Sequence, residues 1–231
     1  MERHFDEELA ELKKKLLHMG SETRKMIDLA MKGLEEQDES KAKTVFSIED
    51  KVNGLHIEID EIAMRLMALH QPMATDLRLL AAVIKINGEI ERIADLAVNM
   101  CESTHFVLAE SQPKSFKDLT VMAGIAERMV CESLKSFNNK DVAAAQWVLD
   151  EDDKVDDLKG KIFRELLTYM SSDPGAIDRA ISLILISRNL ERIGDHATNI
   201  AEDVIYMVQG RDVRHKTLEM EKHKYKDVKS E

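Results

Sequence analysis

Apolar residues recur every three to four positions along most of this chain, the spacing of one face of a helix. Phe5, Leu9, Leu12, Leu16 and Met19 open a first helix that runs to about Gln37. A second carries Val45, Ile48, Val52, Leu55, Ile59, Ile62, Leu66 and Leu69 as an unbroken seam. A third carries Leu79, Val83, Ile86, Ile90, Ile93, Ala97 and Met100. After Pro113 the pattern returns as three more helices, over roughly 115–138, 141–171 and 174–209. Asp38 and Asp141 are expected to be N-caps, and Asp173-Pro174 an N-cap with proline at the first helical position. Gly210 reads as a stop, and the charged stretch 211–231 as a frayed or accessory tail.

Composition narrows the class. Only 4% of the 231 residues are aromatic, and nine glycines and three prolines leave little turn chemistry for a sheet protein. Hydrophobic residues at 44%, placed at helical spacing, can fill a core, so wholesale disorder is excluded. The net charge of −11 argues against nucleic acid as a partner and is compatible with binding cations. Cys101 and Cys131 stand alone, without a CxxC neighbour, which supports neither a disulfide framework nor a thiolate zinc site. The start lacks the apolar core of a signal peptide. The longest apolar runs, near Ala81–Ile84 and Leu183–Ile186, fall far short of a membrane span, so a cytoplasmic location is expected.

The two halves form an internal repeat. Residues 81–102 and 181–202 align without gaps at an offset of 100, with nine identities in 22 positions. Upstream, at an offset of 103, Asp50-Lys51-Val52 faces Asp153-Lys154-Val155. The expected fold is all-α, two pseudo-repeated antiparallel three-helix bundles. Residues 1–110 form the first, 111–210 the second, and 211–231 the tail.

The repeat preserves charge as well as apolar positions. Glu91-Arg92-Ile93-Ala94-Asp95 returns as Glu191-Arg192-Ile193-Gly194-Asp195, followed by Asn99 and Asn199, then Glu102 and Glu202. Acids four apart share a helix face, and a glutamate eleven from the first returns to it. Such a pair repels by a few tenths of a kcal/mol on an isolated helix. Two readings of the repeated conflict stand: a bound cation, or pairing of Arg92 and Arg192 with acids on a solvated face.

Counting from the hairpin turns extends the set. Glu49 and Asn53 lie 22 and 18 residues before Gln71, while Asp95 and Glu91 lie 24 and 20 after it. Asp152 and Asp156 lie 21 and 17 before Asp173, with Asp195 and Glu191 lying 22 and 18 after it. Each hairpin can therefore set two oxygen-rich pairs side by side, although Asp150–Asp157 also reads as a plain solvated acidic stretch. Oxygen ligands suit hard cations: iron(III), manganese, magnesium or calcium, with zinc less favoured. No Glu-x-x-His element of a di-iron bundle is present, and His196 faces Leu96 in the other repeat, which marks it as local. P-loop and GxGxxG patterns are absent, and no nucleophile–base constellation is repeated, so no catalytic site is expected.

Three motifs carry a resemblance to a known family. They are the doubled ERI-x-D-x-A-x-N at 91–99 and 191–199, the loop Gln71-Pro72-Met73-Ala74-Thr75-Asp76-Leu77-Arg78, and Gly210-Arg211-Asp212-Val213-Arg214-His215. Across residues 5–215 the chain resembles the PhoU family of bacterial phosphate-uptake regulators. The resemblance implies a non-enzymatic, cytoplasmic negative regulator of the phosphate-starvation response. It implies as partners the ATPase subunit of the phosphate ABC transporter (PstB-like) and a sensor histidine kinase (PhoR-like). A homodimer and membrane association only through those partners are also implied. So is a carboxylate-bound metal (iron, zinc, manganese or magnesium) on Glu91, Asp95, Glu191 and Asp195, with Asp152 and Asp156 as second-half partners. The first half departs at Asn53, where the second has Asp156, so its site is expected to be weaker or differently occupied. The alternative function is a metal-dependent phosphohydrolase or redox protein.

Overall fold

A computed structural model describes residues 2–104 and 116–213 as six long helices with no strand among them. They are α1 (Glu2–Glu36), α2 (Ser40–His70), α3 (Thr75–Thr104), α4 (Phe116–Asn139), α5 (Val142–Ser172) and α6 (Ile177–Gln209). Pro113, the boundary near residue 110, and Arg214, His215 and the rest of the tail lie outside the described residues.

The turns follow local chemistry. Asp141 accepts from the N–H groups of Ala143 and Ala144, the expected N-cap of α5. Glu39, not the expected Asp38, holds the N-cap position of α2, yet the Asp38 carboxylate, two residues before Ser40, accepts from Ser40 N–H at 2.9 Å. Lys41 clamps the same carboxylate at 2.7 Å, and these bonds hold Asp38 down to about 2. Asp173 caps a single 3₁₀ turn, Pro174–Ala176, and α6 starts only at Ile177 rather than at Pro174. Gly210 ends α6 with φ of 67°.

Within each half the three helices all touch one another, and the halves meet along α3 against α6 and α1 against α4. The motif-bearing helices α3 and α6 are thus central, while α2 and α5 flank the assembly. The expected seam of α3 is buried throughout, and so is that of α6, the helically spaced line Leu183, Ile186, Leu190, Ile193, Ala197, Ile200 and Val204. Burying each such aliphatic side chain contributes about 1.5–3 kcal/mol. Gly20 lets α1 approach α4, since a Cβ there would run into Leu134 Cδ1.

The expected seam of α2 needs correction. Val45, Ile48, Val52, Ile59 and Leu66 are buried, but Ala63 takes the place expected of Ile62, and Leu69 is 68% exposed. Leu55 and Ile62 are partly buried against the core, and Leu69, one residue from the end of α2 at His70, lies beyond the stretch that the core covers.

Candidate metal centre

The second half brings its acids together. Asp152 and Asp156 come from α5, Glu191 and Asp195 from α6, and the two helices pack side by side. The glycine of the second motif copy admits this contact: a Cβ on Gly194 would lie 3.3 Å from Asp152 Oδ1. Burial first, then the charges of Asp195, Asp156, Asp153 and Glu191, push Asp152 up to about 6. Partial desolvation, Glu191 and Asp156 likewise raise Asp195, against the opposing pull of His196 and Lys159. Asp152 therefore gives up its charge at a pH where ordinary aspartates keep theirs, first because it is half-buried and then because other acids crowd it.

One ammonium answers that crowding. Lys159 Nζ lies 2.6 Å from Glu191 Oε1 and 4.0 Å from Asp156 Oδ1, and the bond to Glu191 raises the lysine's pKa. Arg192, the partner anticipated for the second-half acids, makes no ion pair among the described residues; it lines a groove of about 530 Å³ with Lys159, Phe163 and Arg188. The donor set is all oxygen and over-charged, which fits a hard cation. Among the described residues, no three His, Cys, Asp or Glu side chains meet at one point.

The first half is arranged differently. Arg92 Nε lies 3.6 Å from Glu91 and its Nη1 3.9 Å from Asp95, so here the arginine does pair with the motif acids. Asn53 donates to Glu49 at 3.5 Å along α2. The interactions run along each helix, and none joins Glu49 or Asn53 to Glu91 or Asp95. His56 occupies the repeat position of Lys159, with Nε2 3.7 Å from Asp60.

The downstream residues stand apart. Asn99 and Glu102 lie eight and eleven residues beyond Glu91, about 12 and 16 Å along the axis. Asn99 is exposed, and Glu102 lines a separate groove beside Phe46 and Cys101. Asn199 donates instead to Glu89 of α3, and Glu202 sits half-buried a turn further on. His196 is not merely local, as its repeat position suggested: its Nδ1 meets the same Glu89 carboxylate, joining the two bundles. Sequence reasoning missed Lys159 and Glu89, although the place of Lys159 three residues after Asp156 was a usable signal.

Comparison with known proteins completes the picture. The PhoU domain family matches residues 16–104 and 119–204, once in each half. The phosphate-specific transport system accessory protein PhoU homolog of Pseudomonas aeruginosa is 38% identical over 214 residues, 92% of this chain and 88% of that protein. The homolog of Clostridium acetobutylicum is 34% identical over 210 residues, 90% of this chain and 96% of that one. The crystal structure of PhoU from Pseudomonas aeruginosa superposes with a TM-score of 0.86 at 37% identity, covering 90% of this chain and all of that one. A second crystal structure, the phosphate transport system regulatory protein PhoU from Streptococcus pneumoniae, shares the fold with a TM-score of 0.84 at 22% identity.

Proposed function

This chain belongs to the PhoU domain family, and from that premise we propose that it is a negative regulator of the phosphate-starvation response. It acts as a non-enzymatic adaptor that couples a phosphate ABC transporter, through its ATPase subunit, to a sensor histidine kinase. The observation that carries this reading is the match over nine-tenths of the chain to accessory proteins of phosphate-specific transport. An adaptor works by binding one conformational state of a partner more tightly than another, and so needs no nucleophile or general base. No helix among the described residues is long and apolar enough to cross a membrane; in this reading contact with the membrane comes through the partners. The protein works as a homodimer in the cytoplasm.

The carboxylate set supports a metal-binding role beside this. Asp152, Asp156, Glu191 and Asp195 would hold iron, zinc, manganese or magnesium in the second half. Glu91, Asp95, Glu49 and Asn53 would form a weaker site in the first, one carboxylate poorer. A cation held there would supply positive charge between α5 and α6, where Asp152 is half-buried and crowded by Asp195, Asp156 and Glu191.

The test is genetic. Deleting the gene leaves phosphate-starvation genes expressed in phosphate-rich medium, and restoring it silences them only while the transporter and the kinase are both present. Repression that persists in a strain lacking both partners rules out the adaptor and favours an enzyme.

A further inference from the structure

Lys159 stands where a positive charge is wanted. Its ammonium bonds Glu191 Oε1 at 2.6 Å and reaches Asp156 at 4.0 Å, and its charge acts on Asp195 as well. It therefore touches acids of both helices that frame the second-half site, and links α5 to α6 as a bound ion would. The repeat shows that this placement is particular to one half. The aligned position in the first half is His56, whose ring faces Asp60 instead of the motif acids, and there Arg92 covers Glu91 and Asp95. The lysine appears together with the extra acid: the half that has Asp156 where the other has Asn53 also has Lys159 where the other has His56. With the histidine neutral, the two substitutions leave the two acid sets with the same formal charge.

Two positive charges within a few ångströms of one another repel by several kcal/mol at a protein surface. An incoming cation and the Lys159 ammonium therefore compete for the same carboxylate oxygens, Glu191 Oε1 above all. The long flexible stem, with the side chain 39% exposed, gives the ammonium a route out to water. We infer that Lys159 is the chain's own counter-cation for the second-half carboxylates, displaced when a metal ion binds, and that it sets the affinity of that half for metal. This inference rests on the metal reading of those carboxylates. Cation binding thereby becomes a switch in side-chain position: metal in, ammonium out to water.

The test uses the full chain carrying Glu91→Gln and Asp95→Asn, which confines binding to the second half, with manganese(II) as the probe. Calorimetric titration is run with Lys159 present and with Lys159→Met, which keeps the aliphatic stem and removes the charge. In parallel, reductive methylation followed by peptide mass spectrometry reads the accessibility of each lysine amine. Lys161, paired with Asp118 at 2.7 Å, serves as the internal control. The expected results are manganese affinity at least about tenfold tighter in Lys159→Met, and methylation of Lys159 that rises several-fold on adding manganese while Lys161 stays constant. If manganese binds but Lys159→Met binds no tighter, or Lys159 is labelled no faster in its presence, the displacement is wrong while the metal site stands. If neither protein binds manganese, nor magnesium or zinc offered in its place, the metal reading fails and takes this inference with it.

Discussion

His196 of α6 meets Glu89 of α3 through an Nδ1···Oε2 contact of 2.6 Å, and Asn199 donates to the same carboxylate oxygen at 3.1 Å. The contact joins the two bundles through His196 and Asn199 of the second motif copy and a glutamate two residues before the first. It has no counterpart across the pseudo-symmetry, because Leu96 and Asn189 occupy the equivalent positions. Burial pushes Glu89 up, but the hydrogen bonds from His196 and Asn199 outweigh it and hold the carboxyl below its ordinary value.

Replacing Glu89 by alanine leaves the imidazole and the amide without their acceptor. A half-buried hydrogen bond to a charged group is worth about 1.5–3 kcal/mol before solvent exposure reduces it. Urea denaturation of Glu89→Ala at neutral pH is expected to show a loss of about 1–2 kcal/mol, and His196→Leu a smaller one. A midpoint unchanged in both variants would mean that the contact adds nothing to the joining of the halves.

Gly194→Ala separates stability from site geometry. Alanine favours the helix by roughly 0.5–1 kcal/mol over glycine. Its Cβ, however, would crowd Asp152 Oδ1 at 3.3 Å and push that carboxylate away from α6. The first half already carries Ala94 at this position. Thermal unfolding is expected to change little, while manganese binding by the second half weakens. Unaltered binding would show that the close approach of Asp152 to α6 is irrelevant to the site.

Asp38 provides a pH signature away from the site. Its carboxyl is lowered from 3.8 to about 2 by bonds from Lys41 and Ser40. A lowered folded value means that the stabilisation is complete above the unfolded value of 3.8. It is lost as pH falls from there through about 2. Asp38→Asn is expected to flatten this part of the acid-unfolding curve and leave the curve above pH 5 parallel to that of the unmodified chain. A variant whose acid limb superposes on the unmodified one would contradict the assignment.

The fold was legible where one rule sufficed. The seams of α3 and α6, the cap at Asp141 and the stop at Gly210 depend on local spacing and backbone geometry, and each is found where expected. Leu69 was misplaced because the seam was run to the end of α2, while core cover ends with Leu66 and Met67, and spacing alone does not report where a helix outruns its neighbours. In the site, the hairpin count placed Asp152 and Asp156 beside Glu191 and Asp195, and their mutual repulsion reflects it. The same count gave no warning that Arg92 and Arg192 behave differently. Which cation reaches a carboxylate depends on side-chain length and on the rotation of α5 about its own axis, and periodicity reports neither. The bond between Glu89 and His196 was invisible for a further reason: it depends on how one bundle docks against the other.

The central claim is that the repeated carboxylate pairs exist to hold cations. It is tested most directly by the metal content of natively purified protein, measured by inductively coupled plasma mass spectrometry. Glu191→Ala with Asp195→Ala is expected to remove the metal of the second half, and Glu91→Ala with Asp95→Ala the smaller share of the first, with helical content intact in both. Metal content equal to that of the unmodified chain in both double variants would contradict the claim and leave the carboxylates as a solvated face.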